Sequence, residues 1–267
     1  MLFRDEAWAD GTPSWVDLMA PDQAKAVAFY GALFGWDVQS GGEDTGFYGM
    51  ATLAGRPVAG IGQIPEGQDM PAVWTTYLSV SDADKTASAI TEAGGQVVMP
   101  VMDVMKEGRM AIVADPAGAV FGLWEPGNHY GTQVLAAPGV LAWNECMSRD
   151  FPAAKAFYEK VFGYTFDDMS NDQFTYAVLM VDGRPVGGLG ALPDSVPAEV
   201  PSNWGTYFSV ADADAAAAKA VELGGQALGE PADSPYGRQV LLADDQGVTF
   251  TAIAPNEQSG KPEGWDA

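Results

Sequence analysis

Two carboxylates stand in matching positions of this sequence, each two residues after a tryptophan. Asp17 follows Trp15, and Glu145 follows Trp143, in short runs bounded by turn-forming residues. Such runs are typical of β-strands, in which alternate side chains point to the same face. Each acid therefore shares a face with its tryptophan. A carboxylate enclosed among aromatic rings has its pKa raised by desolvation, which suits a general acid or base, or a partner for a ligand's hydroxyl or amine.

A structural role for the two acids is also open. As a strand-end acid at a sheet edge, Asp17 could form an ion pair with Arg56, and Glu145 could form one with Arg184. Either arrangement would hold the carboxylate outside an enclosed site.

Aromatic side chains fall on the predicted strands in phases that could line a pocket. Large apolar pockets with a few polar groups are the usual way to hold small organic ligands. Ordinary core packing explains any single one of these rings equally well. The aromatic candidates for ligand binding are Trp15, Tyr48, Tyr77, Trp124, Trp143, Tyr176 and Tyr207.

The single histidine and the single cysteine do not indicate a catalytic centre. His129 lies in the glycine-bounded run 127–131, and we expect it at the surface or an interface. Cys146 alternates out of phase with Glu145, so we expect a small buried hydrophobe on the helix side of its strand. One cysteine cannot form an internal disulfide, which fits a reducing cytosol.

The chain repeats itself. Phe29-Tyr30 returns as Phe157-Tyr158, an offset of 128 residues, and the run 55–62 returns at 183–190 with the same offset. Self-similarity at a fixed offset indicates tandem copies of one module. We therefore predict a first domain at 1–126, a Gly- and Pro-containing linker at 127–139, and a second domain at 140–267.

Within each copy the residue patterns predict a strand, a helix and two strands, twice over. One helix is predicted from Pro21 to Phe34, before Gly35, and its counterpart opens at Asp150 and closes at Gly163. Alanine-rich helices should end at the glycine pairs 94–95 and 224–225. The predicted strands span 15–19, 48–53, 58–64, 75–80, 110–114 and 120–124 in the first copy, and 141–147, 239–243 and 248–253 in the second.

This order of features, found twice, resembles the vicinal oxygen chelate superfamily of glyoxalases, bleomycin resistance proteins and extradiol dioxygenases. The resemblance covers nearly the whole chain and rests on Asp22, Phe29-Tyr30, Phe34-Gly35, Ala93-Gly94-Gly95 and Asp115-Pro116-Ala117-Gly118. It implies an α+β fold of tandem βαβββ-type modules, whose curved mixed sheets form cups. It also implies that Trp15 and Trp143 point into the cups, so that Asp17 and Glu145 follow them and would meet the ligand.

The resemblance further implies three metal-ligand positions per cup, none of which holds a usual ligand here. They fall on Trp15, Thr75 and Gly122 in the first copy and on Trp143, Gly205 and Thr251 in the second. A Zn²⁺, Fe²⁺ or Ni²⁺ site needs three or more convergent N, O or S ligands, so we expect no metal and no cofactor. Because Thr75 and Thr251 differ from their counterparts, we expect them to contact the ligand and to make the two cups unequal.

The net charge of the chain limits the classes of partner that it could bind. With 36 acidic and 13 basic residues, the formal net charge is -23, which repels nucleic acid and anionic membranes. The N-terminus carries no signal-peptide pattern, and no run approaches 18 apolar residues, so a cytoplasmic protein is expected. Since two copies can pair within one chain, we expect a monomer, with a homodimer as the alternative.

The leading functional prediction is a metal-independent protein that binds a small organic molecule of secondary or detoxification metabolism, and either acts on it or sequesters it. One alternative is an enzyme that uses Asp17 or Glu145 as a general base: a cofactor-free isomerase, lyase or hydroxylase-like protein, or a lactoylglutathione-lyase-like one. Another is a drug-sequestering resistance protein, whose acidic surface would attract a cationic drug.

Overall fold

The computed structural model of the chain describes residues 1–261, whose main elements are two curved mixed β-sheets and four α-helices, beside a two-stranded sheet and a short 3-10 helix at Glu43–Thr45. None of these helices is long and apolar enough to cross a lipid bilayer. A short N-terminal strand, β1 (Leu2–Phe3), precedes the first copy.

The first copy forms an eight-stranded sheet. Its elements are β2 (Pro13–Ala20), α1 (Gln23–Phe34), β3 (Asp37–Ser40), β4 (Gly49–Leu53), β5 (Arg56–Gln63), β6 (Trp74–Ser79), α2 (Ala83–Glu92), β7 (Gln96–Val104), β8 (Gly108–Ala114) and β9 (Val120–Pro126). The strand order is β3-β4-β5-β2-β6-β9-β8-β7. β2 runs parallel to β5 and antiparallel to β6, which places β2 at the centre of the sheet.

The second copy repeats this topology after a connection that contains β10 (Val134–Leu135), the antiparallel partner of β1. Its elements are β11 (Leu141–Ser148), α3 (Phe151–Phe162), β12 (Thr165–Asp168), β13 (Tyr176–Val181), β14 (Arg184–Ala191), β15 (Asn203–Ser209), α4 (Ala213–Glu222), β16 (Gln226–Ala227), β17 (Ala232–Ser234), β18 (Gly237–Ala243) and β19 (Thr249–Ala254). The strand order is β12-β13-β14-β11-β15-β19-β18-β16, and β17 pairs with β18.

Each copy is thus a βαβββ unit followed by a second one, and the sequence-based order lacked at least one strand per unit. The missed strands are β3 and β7 in the first copy, and β12, β16 and β17 in the second, where β16 and β17 both pair with β18. All five lie at or beside sheet edges, where both faces of a strand can be polar or exposed. β7 also contains Pro100, which is tolerated at an edge and weakens the strand pattern.

An aspartate occupies the N-cap of each of the four helices. At α3 this residue is Asp150, where the helix was predicted to open. Asp22 accepts a hydrogen bond from the backbone N of Lys25 at 3.1 Å, and Asp150 accepts one from Ala153 at 3.0 Å. α1 begins at Gln23, not at the predicted Pro21, because Asp22 occupies the N-cap with extended backbone. Gly35 ends α1 in the left-handed conformation, at a φ of 73°.

The buried core lies between the two copies, and each half of it takes residues from both. One cluster joins Tyr30 and Phe34 of α1 to Phe208 and Phe250 of the second sheet. The other cluster joins Phe121 of the first sheet to side chains of α3. Strand alternation then sends the opposite faces outward, so that the cup faces of the two sheets do not take part in these clusters.

Two tyrosines hydrogen-bond buried carboxylates across the boundary between the copies. Tyr30 of α1 donates to Oδ2 of Asp244 at 3.1 Å, and Tyr158 of α3 donates to Oδ2 of Asp115 at 3.3 Å. Oδ1 of Asp115 caps its own turn by accepting from the backbone N of Ala119, at 2.9 Å. Burial raises the pKa of both aspartates. Each turn between the last two strands of a copy is therefore joined to the first helix of the other copy.

We expect Tyr30→Phe and Tyr158→Phe each to lower the free energy of unfolding by about 1.5–3 kcal/mol, because each removes the tyrosine hydroxyl that donates to a buried carboxylate oxygen. Urea unfolding followed by far-UV circular dichroism measures the loss. Tyr130→Phe is the matched control, since that hydroxyl has no hydrogen-bond partner within residues 1–261. Equal stability of all three variants would contradict a role of these bonds in joining the copies.

Candidate functional site

The cup of the first sheet, cup one, gathers side chains from four neighbouring strands. The strand register pairs Trp15 of β2 with Tyr77 of β6, and Tyr77 with Gly122 of β9. One row along, Asp17 pairs with Thr75. Directly paired residues share a face, so these side chains lie together on the face opposite the buried core.

Asp17 is the most buried carboxylate of the cups, at 7% exposure. Its Oδ2 accepts hydrogen bonds from the hydroxyls of Tyr48 and Tyr77, both at 3.2 Å. Nε1 of Trp15 donates to the Tyr48 hydroxyl at 3.3 Å and so fixes that ring. Oδ1 of Asp17 is buried without a partner within residues 1–261. Burial raises the pKa of Asp17 to about 7, and the tyrosine hydrogen bonds oppose that rise.

Glycines in β5 and β14 make room for the tyrosines that reach the acids. A Cβ on Gly60 would lie 1.7 Å from the Tyr48 hydroxyl, and one on Gly188 would lie 1.9 Å from the Tyr176 hydroxyl. Gly60 and Gly188 therefore let a tyrosine side chain approach the strand backbone closely. In both copies this approach is what aims a phenol at a carboxylate.

His129 lies inside cup one, and the expectation of a surface or interface histidine was wrong. It is 7% exposed, its ring meets that of Trp15 edge to face at 4.3 Å between centroids, and its backbone oxygen accepts from Nε1 of Trp124 at 2.9 Å. Burial lowers its pKa to about 4, and its Nε2 is buried without a partner in the described chain. The sequence carried one signal for this placement, the glycines on either side, which let the connection turn back into the cup.

The cup of the second sheet, cup two, holds a similar arrangement around Glu145. The Tyr176 hydroxyl donates to Oε2 of Glu145 at 2.9 Å, and the Tyr207 hydroxyl donates to Oε1 at 2.6 Å. Nε1 of Trp143 donates to the Tyr176 hydroxyl at 3.1 Å. Burial raises the pKa of Glu145, and the two tyrosine bonds act against it. These four side chains are half-buried, whereas Trp15, Asp17 and Tyr77 of cup one are buried.

Two replacements make cup two the more open of the pair. Gly205 pairs with Glu145 where Thr75 pairs with Asp17, and a Cβ on Gly205 would meet nothing closer than 3.8 Å. Ile253 takes the register position of Trp124, which in cup one packs with Trp15 and Tyr77. Cup two thus has space beside its carboxylate that Thr75, Trp124 and His129 reduce in cup one.

The sequence-predicted site residues fall into these two groups. Trp15, Asp17, Thr75, Tyr77 and Trp124 share the cup face of the first sheet, with Tyr48 bonded to them. Trp143, Glu145, Tyr176, Tyr207 and Thr251 share that of the second. The alternative ion pairs do not form: Arg56 pairs with Asp5, and Glu145 is bonded to tyrosines.

The metal-ligand positions implied by the resemblance do not fit a metal. Over residues 1–261, no three His, Cys, Asp or Glu side chains converge on a point that could hold an ion. At Gly122, a Cβ would lie 2.1 Å from Cδ1 of Tyr77, so the ring occupies the space that a ligand side chain would need. Asp17 and Glu145, the carboxylates assigned to the two cups, each accept hydrogen bonds from two tyrosine hydroxyls.

The sequence profile of the "Glyoxalase/Bleomycin resistance protein/Dioxygenase superfamily" matches this chain twice, at residues 12–123 and 141–251. Together the two matches cover most of the chain. Each one spans one of the two large sheets.

Relatives of known name extend over nearly the whole chain. "Putative glyoxylase CFP32" of Mycobacterium bovis is 43% identical over 260 residues, covering 94% of this chain and 97% of its own. "Anthracycline biosynthesis protein DauV" of Streptomyces sp. is 36% identical over 265 residues, covering 94% of this chain and 95% of its own. Among solved structures, 2,2',3-trihydroxybiphenyl 1,2-dioxygenase of Sphingomonas wittichii superposes with a TM-score of 0.64 at 14% identity, over 97% of this chain and 95% of that one. The last likeness shows the fold alone.

Asp17 should make stability depend on pH. Its pKa lies at about 7 in the folded chain against an ordinary 3.8, so protonated Asp17 stabilises the fold, and this contribution is lost as the pH rises to about 7. Between pH 5 and pH 7.5 we expect the protein to lose about 2–3 kcal/mol of unfolding free energy relative to Asp17→Asn, which cannot ionise. Urea unfolding at both pH values measures the difference.

Asp37→Asn, an exposed substitution in β3, is the control for that measurement. It should follow the pH dependence of the unaltered protein. A constant difference between the unaltered protein and Asp17→Asn at both pH values would show that Asp17 does not titrate in this range.

Proposed function

Because the chain belongs to the glyoxalase, bleomycin resistance protein and dioxygenase superfamily, we propose that it binds a small aromatic molecule with a hydroxyl or amine group in cup two. The observation that carries this proposal is the Glu145 carboxylate, half-buried, held by two phenols, and next to the open space over Gly205. A carboxylate in such a setting offers a strong hydrogen bond to a donor on the ligand. The surrounding rings offer an apolar surface to its body.

Cup two supports this role better than cup one. In cup one Trp15, Tyr77 and Trp124 are almost fully buried and pack with Met50, Met110 and Ile112. In cup two, Leu241 pairs with Thr251 on the cup face and remains 46% exposed. An exposed apolar side chain beside a half-buried acid is what a ligand would cover.

The names of the relatives agree with a small organic ligand. One is named for anthracycline biosynthesis and the other as a glyoxylase. Both names concern small organic molecules.

Acid–base catalysis is the second candidate, and the raised pKa of Glu145 favours it. Burial raises the pKa of the Glu145 carboxyl toward neutral pH, where a general base is most useful. Glu145 would take a proton from a ligand hydroxyl or carbon acid, while Tyr176 and Tyr207 keep the carboxylate oriented. Turnover with release of product separates this role from binding alone.

The binding proposal can be tested with 2-naphthol, an uncharged aromatic hydroxyl compound, by isothermal titration calorimetry. We expect one site per chain, weakened by about 10-fold or more in Glu145→Gln, because the ligand hydroxyl loses a charged acceptor. Gly205→Thr should also weaken binding by about 10-fold or more, since it brings the cup-one side chain into the open space.

The same changes in cup one are the matched controls. Asp17→Asn and Thr75→Gly alter the counterpart positions and should leave 2-naphthol binding unchanged. Unaltered affinity in Glu145→Gln and Gly205→Thr would contradict a site in cup two. Loss of binding only in the cup-one variants would place the site there instead.

We also propose that the protein acts without the metal of its metal-dependent relatives. The crowding of Gly122 by Tyr77 and the engagement of both cup acids by phenols support this.

The reciprocal packing of the two copies supports a monomer, because the pairing that single modules need is met within one chain. Buried, unpaired Cys146 agrees with a cytoplasmic setting.

Adding Zn²⁺, Ni²⁺, Mn²⁺ or Fe²⁺ to protein treated with a chelator should leave its melting temperature unchanged to within about 1 °C. An ion that binds only the folded chain must stabilise it, by RT ln(1 + c/Kd) at a free ion concentration c. Differential scanning fluorimetry measures the shift, and elemental analysis of protein before chelation is the companion measurement. One equivalent of a tightly held transition metal would contradict the proposal.

A further inference from the structure

A cavity of about 550 Å³ lies outside the two cups, at a seam between three separate segments. The N-terminal segment contributes Arg4 and Trp8, the connection between the copies contributes Thr132 and Leu135, and the second copy contributes β11 and the β13–β14 hairpin. Its volume is within the range of small-molecule sites. Of the side chains assigned to cup two, only Trp143 borders it.

Two guanidinium groups line this cavity in a chain whose net charge is strongly negative. They belong to Arg4 and Arg184, and the one lining carboxylate is that of Asp182. Arg4 lies over the Trp8 ring, 4.4 Å from its centroid, and it forms an ion pair with exposed Glu6 at 3.6 Å. The wall of the cavity is therefore cationic where most of the surface is anionic.

Arg184 differs from its counterpart in the first copy in a way that leaves its charge available. Arg56 occupies the same place in the repeat, and it pairs with Asp5 and lies over the Phe3 ring. Arg184 forms no ion pair with any residue from 1 to 261. The N-terminal segment thus neutralises one arginine of the repeated pair and builds a wall of a cavity beside the other.

Four polar atoms buried without partners belong to residues that line this cavity. Three of them, Nε of Arg4, Nε1 of Trp8 and Oγ1 of Thr132, can donate hydrogen bonds. The fourth is Oδ1 of Asn144, whose amide nitrogen is held at 2.8 Å from Thr76. Asn144 is 1% exposed and Thr132 is 2% exposed. Buried donors without acceptors are costly, so a ligand in this cavity that supplied acceptors would offset that cost.

We propose that this cavity is a second ligand site, which binds a small organic carboxylate with an apolar or aromatic body. The carboxylate lies toward Arg4 and Arg184, because guanidinium and carboxylate match in shape and charge. The body lies against Leu135, Leu141 and Val186 and against the Trp8 ring. The site needs both copies and the N-terminal segment, and it does not depend on the role proposed for cup two.

The test uses 2-naphthoate as the probe, titrated by isothermal calorimetry at pH 7.5 and low salt into the full chain. We expect one site per chain, and binding at least about 10-fold weaker for uncharged 2-naphthamide, which has the same body. Arg184→Gln should weaken 2-naphthoate by about 10-fold or more. Trp8→Phe, which keeps the ring contact and removes the donor, should weaken it by several-fold.

Two variants are controls. Lys25→Gln removes one positive charge from exposed α1, away from the cavity, and should leave affinity unchanged. Gly205→Thr alters cup two and should also leave it unchanged, which separates this site from the one proposed there. A melting curve for each variant confirms that it is folded, and Arg184→Lys, which keeps the charge, should retain part of the affinity.

Three results would overturn the proposal. The first is no binding of 2-naphthoate to the unaltered protein, and the second is equal affinity for 2-naphthoate and 2-naphthamide. The third is binding that survives Arg184→Gln and is lost in Gly205→Thr, which would place the probe in cup two.

Discussion

The reciprocal bonds from Tyr30 to Asp244 and from Tyr158 to Asp115 are the constraint on which the rest of the structure depends. Each joins the first helix of one copy to the last turn of the other, deep in the seam. Because the helices lie at the boundary between the two copies, each sheet buries one face there against the helices of the other copy. The opposite face of each sheet forms a cup. Because a buried carboxylate without its donor is strongly unfavourable, the two copies have one favourable way to meet.

In both cups two tyrosine hydroxyls hold a carboxylate, and the additional methylene group of Glu145 changes how the oxygens are shared between them. Glu145 is long enough to present one oxygen to each of its two tyrosines. Asp17 is shorter and receives both tyrosine bonds on Oδ2, which leaves Oδ1 buried without a partner in the described chain. Cup one, which is the more closed, therefore holds the acid with an oxygen that lacks a hydrogen bond. Cup two, which is the more open, holds the acid with both oxygens bonded.

Much of the fold follows from local signals that occur twice. Asp22, Phe29-Tyr30 and the glycines after α1 and α3, in an order of elements that occurs twice, were enough to predict these helices and the resemblance to the superfamily. The edge strands were missed because strands such as β3, with mostly exposed side chains, lack a buried face and hence an apolar period. The pairing of each acid with its tryptophan was readable from strand alternation. That Tyr48 and Tyr176 reach those acids was not, since it depends on the space over Gly60 and Gly188.

The features that the sequence did not predict come from segments without periodicity. His129 enters cup one from the connection between the copies, where residue types say little about which way the chain turns. The cavity beside Arg184 draws on the N-terminal segment, the connection and a hairpin, and its two arginines, Arg4 and Arg184, are 180 residues apart in the sequence. Only tertiary packing brings such groups together, so no window of sequence contains the site.

The split core has a consequence for how this gene product can be divided. A single copy, cut free at the connection, would expose the inner faces of both its helices and leave a tyrosine and an aspartate of the seam unmatched. Neither fragment has a complete core by itself, but each carries the side chains that the other lacks. The two fragments are therefore suited to reassembly on mixing. Amino-acid changes on the cup faces, by contrast, touch neither the seam nor its bonds. Duplication has in this way separated the surface that must stay fixed for folding from the surfaces that are free to diversify.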